Sequence, residues 1–144
     1  MIRRIVHATD FSKASRKAFA KALELARANR ATLQIVHVLT PPVPMVGDGY
    51  ISPTAYDQLE RSGRQWAQKA LAGLVAKARA AGVRADAKVL EGMPHEQIVR
   101  ASRKADLVVL GTHGRTGVAR FFLGSVAGRV ASSAKTPVLT VRGG

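Results

Sequence analysis

The stretch GTHGRTGVARFFLGSV, residues 111–126, combines glycines and arginines in a pattern that suits the binding of an anion. Four glycines fall at 111, 114, 117 and 124, and a serine follows the last of them at 125. Glycine lets backbone approach a ligand closely, and the N–H groups of a turn or of a helix N-terminus bind phosphate oxygens. A glycine-rich crossover packed tightly against a sheet would use the same residues, so the spacing alone leaves both interpretations open.

Other phosphate-binding and covalent chemistries are excluded by motifs that the chain lacks. It contains no GK[ST] sequence, which a Walker A loop requires, and no G-x-G-x-x-G after the first predicted strand, which a dinucleotide-binding fold requires. It also contains no cysteine, so disulfide and thiolate chemistry are absent.

The remaining polar residues of the stretch and the histidines of the chain have two interpretations each. Arg115 and Arg120 suit phosphate oxygens, and they suit a solvated loop equally well. His113 suits phosphate binding or proton transfer, but it has no acidic partner or nucleophile beside it in sequence, so we expect no catalytic residue. His7 and His37 lie in the first two predicted strands, where we expect structural roles rather than a metal pair, because no clear third ligand accompanies them.

The charge of the chain is strongly basic. Its 144 residues include 23 Lys and Arg against 9 Asp and Glu, which gives a net charge of +14 and makes polyanionic partners plausible. The positive residues are scattered over predicted helices, as on any solvated helix face, and no stacking-aromatic cluster accompanies them. Nucleic acid is therefore a weaker expectation than a nucleotide.

The chain carries no recognisable targeting or membrane segment. The apolar run in MIRRIVHATD is too short for a signal peptide, and no stretch approaches the length of a membrane span. We therefore expect one cytoplasmic domain over residues 1–144.

Apolar periodicity predicts strands and helices in strict alternation. Strands are predicted at 2–8, 31–39, 83–92, 105–110 and 136–142, and helices at 12–29, 55–81, 94–104 and 125–133. Ser12 or Asp10 is placed to cap the first helix, and Leu59 and Trp66 belong to the apolar face predicted for the second. The proline-rich segment 40–54 is the one long predicted loop.

This alternation predicts an α/β fold with an open parallel sheet and helices on both faces. In such folds a ligand binds at the carboxyl ends of the strands, where the strand order reverses. The turns that begin at Ala8 and at Gly111 are the two places that this rule selects.

The spacing Gly111-x2-Gly114-x9-Gly124-Ser125 resembles the nucleotide-binding signature of the universal stress protein family. The similarity extends over the chain: IVHATDFS resembles the family's first strand and turn, GMPHEQIVRASRKADLVVLGTHGR its third helix and fourth strand, and SSAKTPVLTVR its C-terminal end. Members with this signature bind ATP, whereas a second branch lacks the glycines. The resemblance implies the ATP-binding branch and a Rossmann-like, adenine nucleotide alpha hydrolase-like sheet of five strands in the order 3-2-1-4-5.

The resemblance also assigns roles to individual residues. Those implied for the adenosine moiety are Ala8, Thr9, Asp10, Val38, Leu110 and Gly111. Those implied for the phosphates are Gly114, Gly124, Ser125 and Val126, to which the charge of Arg115 adds a further candidate. Many family members have proline where this chain has Ala8, a change in the wall of the site that leaves the phosphate-binding residues untouched.

The expected ligand is ATP, with Asp10 as the candidate contact for an accompanying Mg²⁺; AMP and a cyclic nucleotide stay open. The last strand, Pro137 to Arg142, is an apolar sheet edge, and family members commonly dimerise through it, so we expect a homodimer. Three functions remain under consideration: a nucleotide-dependent stress-response module with little turnover, a slow ATPase or phosphotransferase, and a basic nucleic-acid-binding protein.

Overall fold

The computed structural model describes residues 1–40, 52–112 and 118–143, and within residues 118–125 it describes the backbone alone. Strands and helices alternate along the chain. The strands are β1 (Arg4–Ala8), β2 (Thr32–Leu39), β3 (Ala85–Glu91), β4 (Leu107–Thr112) and β5 (Val138–Arg142). The helices are α1 (Lys13–Asn29), α2 (Pro53–Ala80), α3 (Pro94–Ser102) and α4 (Val118–Ser133).

The five strands form one sheet in the order β3-β2-β1-β4-β5, and every neighbouring pair is parallel. The predicted fold class and strand order are confirmed. The order reverses at β1, whose last residue Ala8 lies opposite Val36 of β2 and Leu110 of β4. The two turns selected from the sequence therefore leave the sheet side by side.

Each face of the sheet has its own apolar core. One core joins the sheet to α1 and α2, and the other joins it to α3 and α4. Helix α1 contributes alanines at a spacing of four, Ala14, Ala18, Ala22 and Ala26, and all of them are buried. Because alanine is small, this face of α1 lies close to the strands beneath it.

Local capping fixes the starts of the first two helices, α1 as predicted and α2 two residues earlier than predicted. Ser12, and not Asp10, is the N-cap of α1, with its hydroxyl accepting from the Ser15 N–H at 3.2 Å. Helix α2 begins at Pro53, inside the segment predicted as loop, because Ser52 caps it and proline is tolerated in a first turn. Residues 41–51 of the predicted loop lie outside the described residues.

The apolar face predicted for α2 is wrong over its first half. Leu59 is 52% exposed and Trp66 is 61% exposed, whereas Ala67, Leu71 and Ala78 are buried. At 1.5 Å per residue the 28-residue helix is about 42 Å long, while the seven residues of β3 span about 23 Å. The start of α2 therefore extends past the strands on which its second half packs.

No helix within the described ranges is both long enough and apolar enough to cross a membrane.

His7 is a fully buried polar residue in the central strand. Its Nδ1 lies 3.0 Å from the Val109 carbonyl oxygen, so Nδ1 carries the proton and donates, and the ring packs against Phe19 at 5.8 Å. Within the described part of the chain, Nε2 has no hydrogen-bond partner. Burial lowers the pKa of His7 from 6.5 to about 4, since the charged ring would lose its hydration. The predicted structural role is consistent with this position.

The lowered pKa of His7 predicts acid sensitivity. Between pH 6.5 and about pH 4, His7 is protonated in the unfolded chain but neutral in the folded chain. The contribution of neutral His7 to the free energy of unfolding is therefore fully present above pH 6.5 and is lost as the pH falls toward 4. The expected loss is roughly 3 kcal/mol, at about 1.4 kcal/mol for each pKa unit. Urea unfolding at several pH values should give a flatter profile for His7→Gln, while His95→Gln, outside the core, should follow the parent. An unchanged pH profile in His7→Gln would contradict this assignment.

Candidate functional site

A cavity of about 240 Å³ opens at the carboxyl ends of the three central strands. Its walls come from the end of β1, the end of β2, the end of β4, the first turns of α3 and the middle of α4. The lining residues are Ala8, Thr9, Asp10, Ser15, Val36, His37, Val38, Thr40, Pro94, Ile98, Leu110, Gly111, Val126 and Ala127. This is the crevice that a reversal of strand order creates.

Most of the residues predicted for the adenosine and phosphate contacts meet in this cavity. Seven of them line it together: Ala8, Thr9, Asp10, Val38, Leu110, Gly111 and Val126. Gly114 and Arg115 lie outside the described residues, as does His113. Gly124 and Ser125 belong to the backbone of α4, where side chains are not described, and Arg120 lies in the same segment.

The predicted start of α4 at Ser125 is wrong. The helix begins at Val118, and β4 continues to Thr112, two residues beyond its predicted last strand residue Leu110. Gly124 and Ser125 therefore lie about two turns into α4 rather than in its first turn. The N–H groups that a helix leaves without an intrahelical acceptor are those of its first four residues, which here begin at Val118. Glycines inside a helix give no periodic signal that would reveal an earlier start.

Asp10 is held in a network of short hydrogen bonds at the start of α1. Its Oδ1 accepts from the Ser15 hydroxyl at 2.6 Å and from the Ser12 N–H at 2.9 Å. Its own N–H donates to the Ser15 Oγ at 3.2 Å. The carboxylate is consequently fixed at the mouth of the cavity by α1, and it is the one acidic side chain among the described lining residues. Sequence reasoning found Asp10 but missed Ser15, whose position in the first turn of α1 was the available signal.

The turn after Asp10 has an unusual backbone conformation. Phe11 has a positive φ of 63°, which non-glycine residues adopt rarely, and its N–H donates to the Thr9 Oγ1 at 3.0 Å. The Thr9 N–H donates in turn to the Val36 carbonyl at 2.9 Å. Residues in such conformations occur preferentially at functional sites, where neighbouring contacts hold them in place.

His37 lines the cavity and was not predicted as a site residue. Its Nδ1 lies 2.8 Å from the Thr9 carbonyl oxygen, so Nδ1 donates and the ring is fixed against the β1 turn. The ring also packs on Phe11 at 4.7 Å, and Phe11 meets Trp66 edge-on at 5.1 Å. Among the described residues, no group of three or more His, Cys, Asp or Glu side chains is placed to hold a metal ion.

Gly111 lies where β4 passes closest to α1. A Cβ placed on it would come within 2.6 Å of the carbonyl carbon and oxygen of Ala14, far inside contact distance. The neighbouring atoms are backbone, so no side chain can move aside. The absence of a Cβ at Gly111 therefore has a packing reason in addition to any role in ligand binding.

Gly111→Ala should lower the free energy of unfolding by about 1–3 kcal/mol, the usual cost of forcing an extra carbon into a packed site. Gly73→Ala is the matched control, because no atom lies within 4 Å of its added Cβ. That substitution in the interior of α2 should stabilise the protein by about 0.5–1 kcal/mol. Denaturant unfolding of both variants checks the prediction, and a Gly111→Ala protein as stable as the parent would refute the close approach.

The fold and the cavity define a doubly wound α/β protein with a ligand crevice at the point where its strand order reverses. The model of the universal stress protein family matches residues 1–142, and the chain belongs to that family. A universal stress protein of Thermus aquaticus is 36% identical, with 99% of this chain and 100% of the relative covered. The family that the sequence resembles is thereby confirmed.

Two similar solved structures contain adenine nucleotides. A universal stress protein in complex with cAMP is 28% identical, with a TM-score of 0.75, and the match covers 99% of this chain and 98% of that one. The universal stress protein of Archaeoglobus fulgidus in complex with dAMP is 26% identical, with a TM-score of 0.67 and coverage of 99% and 100%.

Proposed function

We propose that this chain binds ATP in the cavity between β1, β2 and β4 and uses the nucleotide as a regulatory ligand in a stress response. The observation that carries the proposal is the convergence of Asp10, Val38 and Gly111, far apart in sequence, on one cavity. The complexes of related proteins with cAMP and dAMP support an adenine nucleotide as the ligand class.

The shape of the cavity suits the adenosine part of the ligand. Its volume of about 240 Å³ lies below the roughly 300–1,000 Å³ typical of sites that enclose a whole ligand. Apolar residues such as Val38 and Ile98 provide contacts for a base, and the Asp10 carboxylate provides acceptors for hydroxyl groups. We therefore place the base and ribose inside, with the phosphates directed along the connection from β4 to α4, which carries Gly114 and Arg115.

A regulatory role is favoured over rapid hydrolysis by the state of the described polar residues. His7 is buried away from the cavity, and Nδ1 of His37 is engaged by the Thr9 carbonyl. The Asp10 carboxylate already accepts from Ser12 and Ser15, which suits a binding residue. Where Mg²⁺ accompanies ATP, we assign the protein contact to Asp10.

Gly124→Asp should separate phosphate contacts from adenosine contacts. A carboxylate on α4 beside the proposed phosphate path should weaken ATP binding at least about tenfold by like-charge repulsion, while adenosine binding stays within about twofold. Gly128→Asp introduces the same charge one turn further along α4, where an added Cβ meets no atom within 4 Å, and should bind ATP like the parent. Isothermal titration calorimetry of the parent and both variants, each with ATP and with adenosine, measures the six affinities.

The proposal fails if the parent protein binds neither ATP nor AMP, or if the two aspartate variants weaken ATP binding equally. ATP hydrolysis well above background, abolished by Asp10→Asn, would instead favour the slow ATPase.

We further propose that the protein forms a homodimer through β5. The Pro137 carbonyl accepts from Val108, and the Gly143 N–H donates to the Thr112 carbonyl, so odd-numbered residues of this strand bond to β4. The even-numbered residues 138, 140 and 142 then present their backbone groups at the free edge. The other edge, β3, is partly covered, because the Arg79 guanidinium donates to the Ala85 carbonyl at 3.0 Å. No side chain in the described part of the chain donates to the free edge of β5 in this way.

Thr140→Pro should convert the dimer into a monomer, because it removes an outward N–H while leaving the bonds to β4 intact. Ala87→Pro is the control at the opposite edge, since Arg84 and Gly92 face β2 and Ala87 faces outward. Sedimentation velocity at micromolar concentration should show a dimer for the parent and for Ala87→Pro. A monomeric parent, or a dimeric Thr140→Pro, would contradict the proposed interface.

A further inference from the structure

A second, larger concavity lies on the α3 face of the sheet. This basic groove has a volume of about 770 Å³ and runs between α3 and the strands β1, β2 and β3, toward the amino ends of the strands. It shares Val36 with the nucleotide cavity, and its other lining residues are different. The groove is also remote from β5, since β3 and β5 are opposite edges of the sheet.

Positive charge dominates the lining of the basic groove. Its described residues include six cationic side chains, Arg4, Arg84, Lys88, Arg100, Arg103 and Lys104, and one acidic side chain, Asp86. All six cationic residues are exposed. The ion pairs among the described residues are Lys21–Glu24 and Arg64–Glu91, so none of these six side chains forms a salt bridge there, although the Asp106 carboxylate lies close enough to Arg4 to interact with its charge.

The sheet itself contributes polar residues to the basic groove, which is unusual for a parallel sheet. Helices normally cover both faces of such a sheet, and the strands are then apolar. Here Gln34 pairs with Val6 on one side and with Asp86 on the other, and Lys88 pairs with Val36. The face of the sheet toward α3 is therefore polar on β2 and β3, next to the buried Val6 and Val36. Gln97 of α3 adds a second amide to the lining.

We propose that the basic groove binds single-stranded nucleic acid through its phosphates. A phosphate chain needs cationic groups and hydrogen-bond donors along its path, and Lys88, Arg100 and the two glutamine amides provide both. An acidic amphipathic peptide would in addition need apolar pockets for its anchor residues. The floor residues Val6 and Val36 are 3% and 1% exposed, so neither of them opens a pocket for such an anchor.

The groove also selects the form of nucleic acid and the kind of readout. Cations that lie within a concavity suit the phosphates of one extended strand, which can enter it, better than those of a duplex, which lie on the outside of a wide rod. None of the described lining residues is aromatic, so stacking of bases on side chains is not available there. Binding should consequently depend on salt and only weakly on base sequence.

The test measures the fluorescence anisotropy of labelled oligodeoxynucleotides of about 16 residues, over about 50–200 mM salt. The parent should bind oligo-dT and a mixed sequence alike and should prefer both to the duplex. Lys88→Gln/Arg100→Gln removes one charge from each side of the groove and should lower the slope of log affinity against log salt by about 1.4, at 0.7 for each phosphate contact. Lys69→Gln/Lys77→Gln removes two exposed charges from α2, on the other face, and should retain the parent slope.

Equal losses in the two double variants would overturn the proposal, because they would show that binding reflects only the overall charge of the protein. Preference for the duplex would also overturn it, as would displacement of oligo-dT by a polyglutamate peptide that depends equally on Lys88 and Arg100. An unchanged ATP affinity in Lys88→Gln/Arg100→Gln would show that the groove acts separately from the nucleotide cavity.

Discussion

The parallel pairing of β1 with β4 joins the two halves of the sheet, and the position of every site residue depends on it. The chain winds from β1 through β2 to β3 in one direction, then crosses to β4 and continues to β5 in the other. Right-handed crossovers in opposite directions place α1 and α2 on one face and α3 and α4 on the other. The connections that leave Ala8 and Leu110, which are paired in the ladder, therefore diverge and open the crevice between them.

Small residues let the elements around this crevice approach closely. Ala14, in the first turn of α1, lies against both Gly111 and Gly143: a Cβ on Gly111 would come within 2.6 Å of its backbone, and one on Gly143 within 2.4 Å of its Cβ. The Asp10–Ser15 hydrogen bonds fix the same turn of α1 from the other side. The carboxyl ends of β4 and β5 and the start of α1 thus form one closely packed unit, which explains how a site built from turns can hold a defined shape.

The sequence was most informative where periodicity and topology act together. Alternating strands and helices predicted the parallel sheet, and the rule for strand ends led to Ala8–Asp10 and to Gly111 without any knowledge of contacts. The exposure of Trp66 was not predictable, since it depends on the length of α2 relative to β3. The start of α4 at Val118 was missed because glycines at 117 and 124 read as turn residues. The polar face of β2 and β3 was missed because a charged residue in a strand, such as Lys88, does not indicate which part of the sheet the helices leave uncovered.

Titration of isotope-labelled protein with ATP, followed amide by amide by NMR, tests the proposed nucleotide site most directly. Because the cavity joins the ends of three strands, the largest chemical-shift changes are expected at residues 8–10, at Val38 and at residues 110–112. The opposite end of the sheet, around Gly82 and Val83, should be unaffected. No shift changes at millimolar ATP, or changes concentrated on Lys88, Arg100 and Lys104 instead of the strand ends, would contradict the account.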